Sequence, residues 1–194
     1  MKTERRRRHP AGSVLIELAL ALPLFLLFMY GVLESARMMY LWNTLQDSAR
    51  MAARGAAIAD FSSAAAQAEL RNRALFRSSD GPLALGAPID ASYLRIEYLW
   101  LDAAGALQAV PAAGMPANPA QNLYNCTLNP NDAGCIRFVR ASICQPAVLD
   151  SCQPVPYQPL LPLAPLEWAG LALPTSTSVA RAEALGYRAG DPLP

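Results

Sequence analysis

One carboxylate, Glu17, stands inside a run of apolar residues that reaches from position 13 to position 33. An ionised carboxylate in hydrocarbon costs a few kcal/mol unless it meets a cation or takes up a proton, so Glu17 demands a partner. Four cysteines, Cys126, Cys135, Cys144 and Cys152, offer thiol chemistry. Zinc ligands usually come in close pairs two to four residues apart, whereas seven or eight residues lie between successive cysteines here. The even number reads instead as two disulfides in an oxidising compartment. His9 is the one histidine, and it precedes the apolar run. The rest of the chain therefore has no imidazole for acid–base work, for activating a nucleophile or for holding a metal. Asp90, Glu97, Asp102, Asp132 and Asp150 are scattered without a spacing that pairs them, and no glycine-rich phosphate loop follows a strand. These residues exclude most hydrolase mechanisms. They speak for a chain that is not an enzyme and uses no cofactor and no metal.

The elements that position Glu17 are legible in charge and hydropathy. Residues 18–33 carry no charge, close to the ~20 residues that span a hydrocarbon core. Lys2, Arg5, Arg6, Arg7 and Arg8 flank the run on one side and Glu34 on the other, so the positive-inside bias puts the N-terminus in the cytoplasm and everything after Glu34 in the periplasm. The formal net charge is only +1, and the arginine cluster sits on a short tail beside an apolar run. A nucleic-acid partner would need basic residues on a folded surface, so none is expected. A buried core helix is disfavoured by the four arginines. A cleaved secretory signal needs small residues after the apolar run, and Glu34, Ser35, Ala36 and Arg37 supply them poorly.

Beyond the span, Met38, Leu41, Trp42, Leu45, Ala49, Ala52, Ala53 and Ala56 recur at helical spacing, with Asn43, Asp47, Arg50 and Arg54 opposite. One helix is thus predicted to continue to about Ala59. Ser62 or Ser63 caps a second helix that runs through Phe76, with Arg71, Arg73 and Arg77 on a solvated face. Residues 93–101 read as a strand, and the turn at 102–105 leads to a partner strand ending near Val110. Residues 111–130 read as a long loop. A further strand lies between Cys135 and Cys144. Prolines every two to four positions over 154–165 make that stretch extended, and a last strand falls within 171–182. The fold class is α+β, with an antiparallel sheet. The chain divides into a basic leader (1–12), a membrane helix (13–33), its periplasmic continuation (34–59), a periplasmic domain (60–185) and a loose tail (186–194). If 136–143 is a strand, Cys135 and Cys144 stand about 30 Å apart and do not bond. Two connectivities remain. The preferred one joins Cys126 to Cys135 and Cys144 to Cys152, because each bond closes a local loop rich in turn residues.

Gly12 followed by Ser13, Val14, Leu15, Ile16 and Glu17, with arginines before and the apolar span after, resembles a type IV prepilin signal. The resemblance implies that a prepilin peptidase cuts after Gly12, leaving Ser13 as the new N-terminus and glutamate as the fifth residue. Among packed N-terminal helices, Glu17 of one subunit would then meet the Ser13 amine of a neighbour. Pro23 removes one backbone hydrogen bond and loosens the helix. More narrowly, residues 13–56, with Glu17, Pro23, Gly31, Glu34, Ser48, Ala49, Arg50, Ala53, Arg54 and Gly55, resemble TadE-like proteins of tight-adherence pilus systems. Residues 157–163 and 173–187 also resemble that family. The resemblance implies a minor pilin or pseudopilin in an initiation or tip complex, whose partners are the prepilin peptidase, other pilins and pseudopilins, the inner-membrane pilus assembly platform and the membrane. The rival reading is a signal-anchored periplasmic binding module or adhesin that never enters a filament.

Overall fold

The structure, a computed structural model, describes residues 11–146, 151–160 and 171–191. The leader with Arg5, Arg6, Arg7, Arg8 and His9, Asp150 and the proline stretch beyond Leu160 lie outside the described residues. The architecture is α+β: helices α1 (Ala11–Ala56), α2 (Ala64–Ala74) and α3 (Pro119–Leu128), and strands β1 (Leu94–Leu101), β2 (Leu107–Ala109), β3 (Phe138–Ile143) and β4 (Thr177–Arg181). The four strands form one antiparallel sheet in the order β2-β1-β3-β4. Two compact units divide the chain, Met1–Met39 and Tyr40–Pro194.

In the first unit, leucine and alanine dominate α1, and both are strong helix formers. Its apolar side chains are bare: Leu15 and Phe28 are each 68% exposed, Leu24 69%. Its mean hydropathy reaches 2.2. A bare apolar run of this length is poorly tolerated in water and matches a bilayer core. By length and composition, α1 is the one helix among the described residues suited to anchor the chain in a membrane.

In the second unit, the rest of α1 supplies one wall of the core. Leu41, Leu45, Ala49, Ala52, Ala53 and Ala56 are buried, at the helical spacing the sequence predicts. Trp42 is an exception, 45% exposed and off that stripe. Ala56 meets Leu70 of α2, Ile136, Val139 of β3 and Leu185, with Ile96 and Tyr98 of β1 packed alongside. Small side chains on α1 let these neighbours approach the backbone closely.

Ser63 caps α2, its Oγ accepting from the Ala66 N–H at 3.3 Å. The helix ends at Ala74, short of the predicted Phe76. Phe76 takes a left-handed φ of 57°, so the Phe76 and Arg77 N–H groups turn back onto the carbonyls of Arg73 and Asn72. That is a Schellman stop with phenylalanine where glycine is usual. The β1–β2 turn is organised by Asp102, whose Oδ1 accepts from Ala104 and Ala106 at 3.0 and 2.8 Å.

Residues 111–130 are not a loop, which corrects the sequence reading. They hold a short 3-10 turn and α3, started by Asn118, whose Oδ1 accepts from Gln121 N at 2.8 Å, with a proline at the head of the helix. Asparagine then proline is a helix-start signal, and it was present in the sequence.

Tyr98 lies on the core face of β1, its ring 5.7 Å from that of Phe61 and its hydroxyl accepting from Gln67 Nε2 at 3.1 Å. Burial pushes the phenol up to about 12 from 10.0, against the opposing pull of the Gln67 hydrogen bond and Arg71. The folded chain thus holds the Tyr98 proton where the unfolded chain releases it. The stabilisation is complete below pH 10 and is lost as pH rises toward 12. Unfolding free energy is expected to fall by about 2 kcal/mol across that window, and Tyr98→Phe should flatten the fall in denaturant titrations at pH 9 and pH 12. An unchanged slope would remove Tyr98 as its source.

Candidate assembly site

Gly12 and Ser13 occupy the first turn of α1. Ser13 and Glu17 are four positions apart, one turn and about 6 Å along the axis. Glu17 is exposed, and Ile16 and Leu18 beside it are 65% and 56% exposed. It has no ion-pair partner among the described residues. A carboxylate on an otherwise uncharged apolar surface needs a cation from outside its own chain when that surface is taken out of water. Pro23 lies within the helix, which continues past it, and its missing N–H leaves the Ala19 carbonyl without the usual donor.

Further along α1, Arg37 Nη1 donates to Glu34 Oε1 at 3.1 Å, with the two side chains 8% and 3% exposed. The sequence assigns Glu34 to the flank of the span, to a poor cleavage site and to the TadE-like pattern, and Arg37 to the poor cleavage site, but does not pair the two. Their spacing of three positions was the signal that they pair. On the wet side, Arg50 Nη1 meets Asp47 Oδ1 at 3.2 Å with both side chains about 60% exposed, a pair that adds little.

The four cysteines form two bonds, Cys126 to Cys135 and Cys144 to Cys152, with Cα atoms 4.8 and 4.9 Å apart. The first ties α3 to the segment entering β3. One turn earlier on α3, Asn122 Oδ1 accepts from Ile136 N at 2.8 Å while its Nδ2 reaches Ile136 O at 3.5 Å. The amide side chain thereby stands in for a strand backbone that the ladder does not yet supply. Among the described residues, no cluster of three histidine, cysteine or acidic side chains is placed to hold a metal.

A family model described as TadE-like protein matches residues 12–54. The match begins at Gly12 and takes in Ser13, Glu17, Pro23, Glu34 and Arg37, so the resemblance read from the sequence is borne out over that segment. A search of curated proteins returned no match to the chain, and neither did a search of solved structures.

Proposed function

We propose that this TadE-like chain is a minor pilin or pseudopilin of a tight-adherence pilus, cleaved between Gly12 and Ser13 and built into an initiation or tip complex. The TadE-like family implies a pilus-associated, structural protein that meets other pilus components at the membrane. The observation that carries the finer reading is Glu17, a carboxylate unpaired among the described residues on a bare apolar helix, one turn after the proposed new N-terminus. Cleavage creates the cation it lacks: the Ser13 amine of an adjacent subunit lies within reach when N-terminal helices pack side by side with a small axial offset. In this reading the arginines at positions 5–8 hold the leader at the cytoplasmic face for the prepilin peptidase, Pro23 eases the helix during packing, and the inner-membrane platform drives assembly. The domain after the helix faces the periplasm, where its two disulfides persist. A tip or initiation complex has room for a domain of this bulk on one subunit, whereas a shaft would carry it on every subunit.

Mass spectrometry of the protein purified from the envelope tests the reading. The mature chain should begin at Ser13. A chain that begins at Met1 in cells with an active prepilin peptidase, or one that begins near Arg37, would refute it; the first outcome would favour a signal-anchored adhesin.

A further inference from the structure

β4 is an edge strand, and its register against β3 fixes which of its backbone groups are free. Ala182 N donates to Arg137 O and Ile143 N to Ser176 O, so the even positions of β4 bond to β3. The N–H and C=O groups of Thr177, Val179 and Arg181 therefore point away from the sheet. Among the described residues, no hydrogen bond to them is made. Val179 is 46% exposed, and Thr177 and Arg181 are exposed as well. The edge has no proline, no bulge and no covering helix among the described residues, the devices that usually keep such an edge from pairing.

At the C-terminal end of this edge lies a cavity of about 320 Å³, lined by Arg137, Arg181, Glu183, Tyr187 and the Cys126–Cys135 bond among others. Arg137 is half-buried and Arg181 exposed, and neither guanidinium has a carboxylate or hydrogen-bond partner among the described residues. A half-buried guanidinium without an acceptor is a cost that an incoming carboxylate removes. The sheet already uses this chemistry: Arg140 of β3 pairs across the strands with Glu97 of β1 at 3.3 Å, on the face that Arg181 shares.

We propose that the β4 edge and its adjoining cavity receive an extended, acidic segment of another protein chain. Its backbone bonds to Thr177, Val179 and Arg181 as an added strand, and its carboxylate meets the two arginines. A second copy of this chain does not fit as well. Two β4 strands paired antiparallel about Val179 put Thr177 opposite Arg181, and the other sheet edge, Leu107–Ala109, carries no acid either. The proposal therefore takes the carboxylate from a different chain. This inference rests on the sheet edge and stands whether or not the protein enters a filament.

Amide hydrogen exchange of the full-length, detergent-solubilised protein tests it, read at single residues. The probe is a synthetic peptide of alternating valine and threonine with one central glutamate, beside the same peptide with lysine in that place. The glutamate peptide should slow exchange at Thr177, Val179 and Arg181 by roughly tenfold or more at saturation, and the lysine peptide should not. Val179→Pro removes an outward donor without costing a ladder bond, so it should abolish protection while circular dichroism and both disulfides stay intact. Arg181→Glu should reverse the preference between the two peptides. Absence of protection with either peptide, or equal protection with both, overturns the proposal. Protection without peptide that grows with protein concentration overturns it in favour of a second copy.

Discussion

Cells that carry Glu17→Ala in place of the native chain should insert and fold the protein normally yet display few or no surface filaments. The substitution removes the one charge from a bare apolar helix, so insertion becomes easier. Folding is untouched, since Glu17 makes no ion pair among the described residues and the core that holds the sheet begins at Leu41. What should disappear, on the function proposed above, is the partner of a neighbour's Ser13 amine. A buried contact broken on one side costs about 3–5 kcal/mol, more than a hundredfold in each association step. Glu17→Gln keeps the shape and removes the charge, so it should behave in the same way. The measurement is a count of filaments by electron microscopy at matched protein level, with alkylation confirming that both disulfides have formed. Normal piliation in the alanine variant would rule out a Glu17–Ser13 pairing as the assembly contact.

Gly186→Ala should be the most damaging single-methyl change in the folded domain. Gly186 sits at φ +91°, and a Cβ there would lie 2.6 Å from the Asp60 Cα and 2.8 Å from its backbone nitrogen. Both obstacles are backbone, so no side-chain rotation relieves them. Strain of about 1–2 kcal/mol from the left-handed conformation adds to a similar or larger cost of forced displacement. The sum, about 3 kcal/mol, should lower Tm by about 10 °C in a chain of this size. Gly190 provides the control: its φ is +105°, but an added Cβ meets nothing within 4 Å. Gly190→Ala should therefore cost only the conformational part. Equal losses at the two positions would show that crowding against Asp60 is not what makes Gly186 necessary.

The parts of this fold that were legible beforehand are those written in periodic apolar residues. The buried stripe from Leu41 to Ala56, the Ser63 cap, the β1–β2 hairpin and the strand between Cys135 and Cys144 all follow from local pattern. α3 was not legible by the same means, because little of it is buried; Ala120 and Asn122 are its only buried residues. It is held by a covalent bond and an amide side chain, and neither leaves a period in the sequence. Asn118 before Pro119 was the sole local clue. The order β2-β1-β3-β4 is a matter of long-range pairing that no window of residues encodes. At the N-terminal site, Gly12, Ser13, Glu17 and Pro23 were readable because a charge and a proline in an apolar run are conspicuous. The Glu34–Arg37 pair is hidden because the flank of a span and a poor cleavage site already account for each residue.

The two disulfides also decide how the chain carries a mechanical load. When the ends of the protein are pulled apart, force enters α3 and β3 through Cys126 and Cys135 and crosses directly between them. Residues 127–134 stand outside the loaded path, and residues 145–151 are bypassed in the same way by Cys144 and Cys152. The oxidised chain, fully stretched, is therefore shorter than the reduced one by roughly 50 Å. Tension that strips the strands from the sheet still leaves these two short circuits closed, and the thread between them stays taut and short.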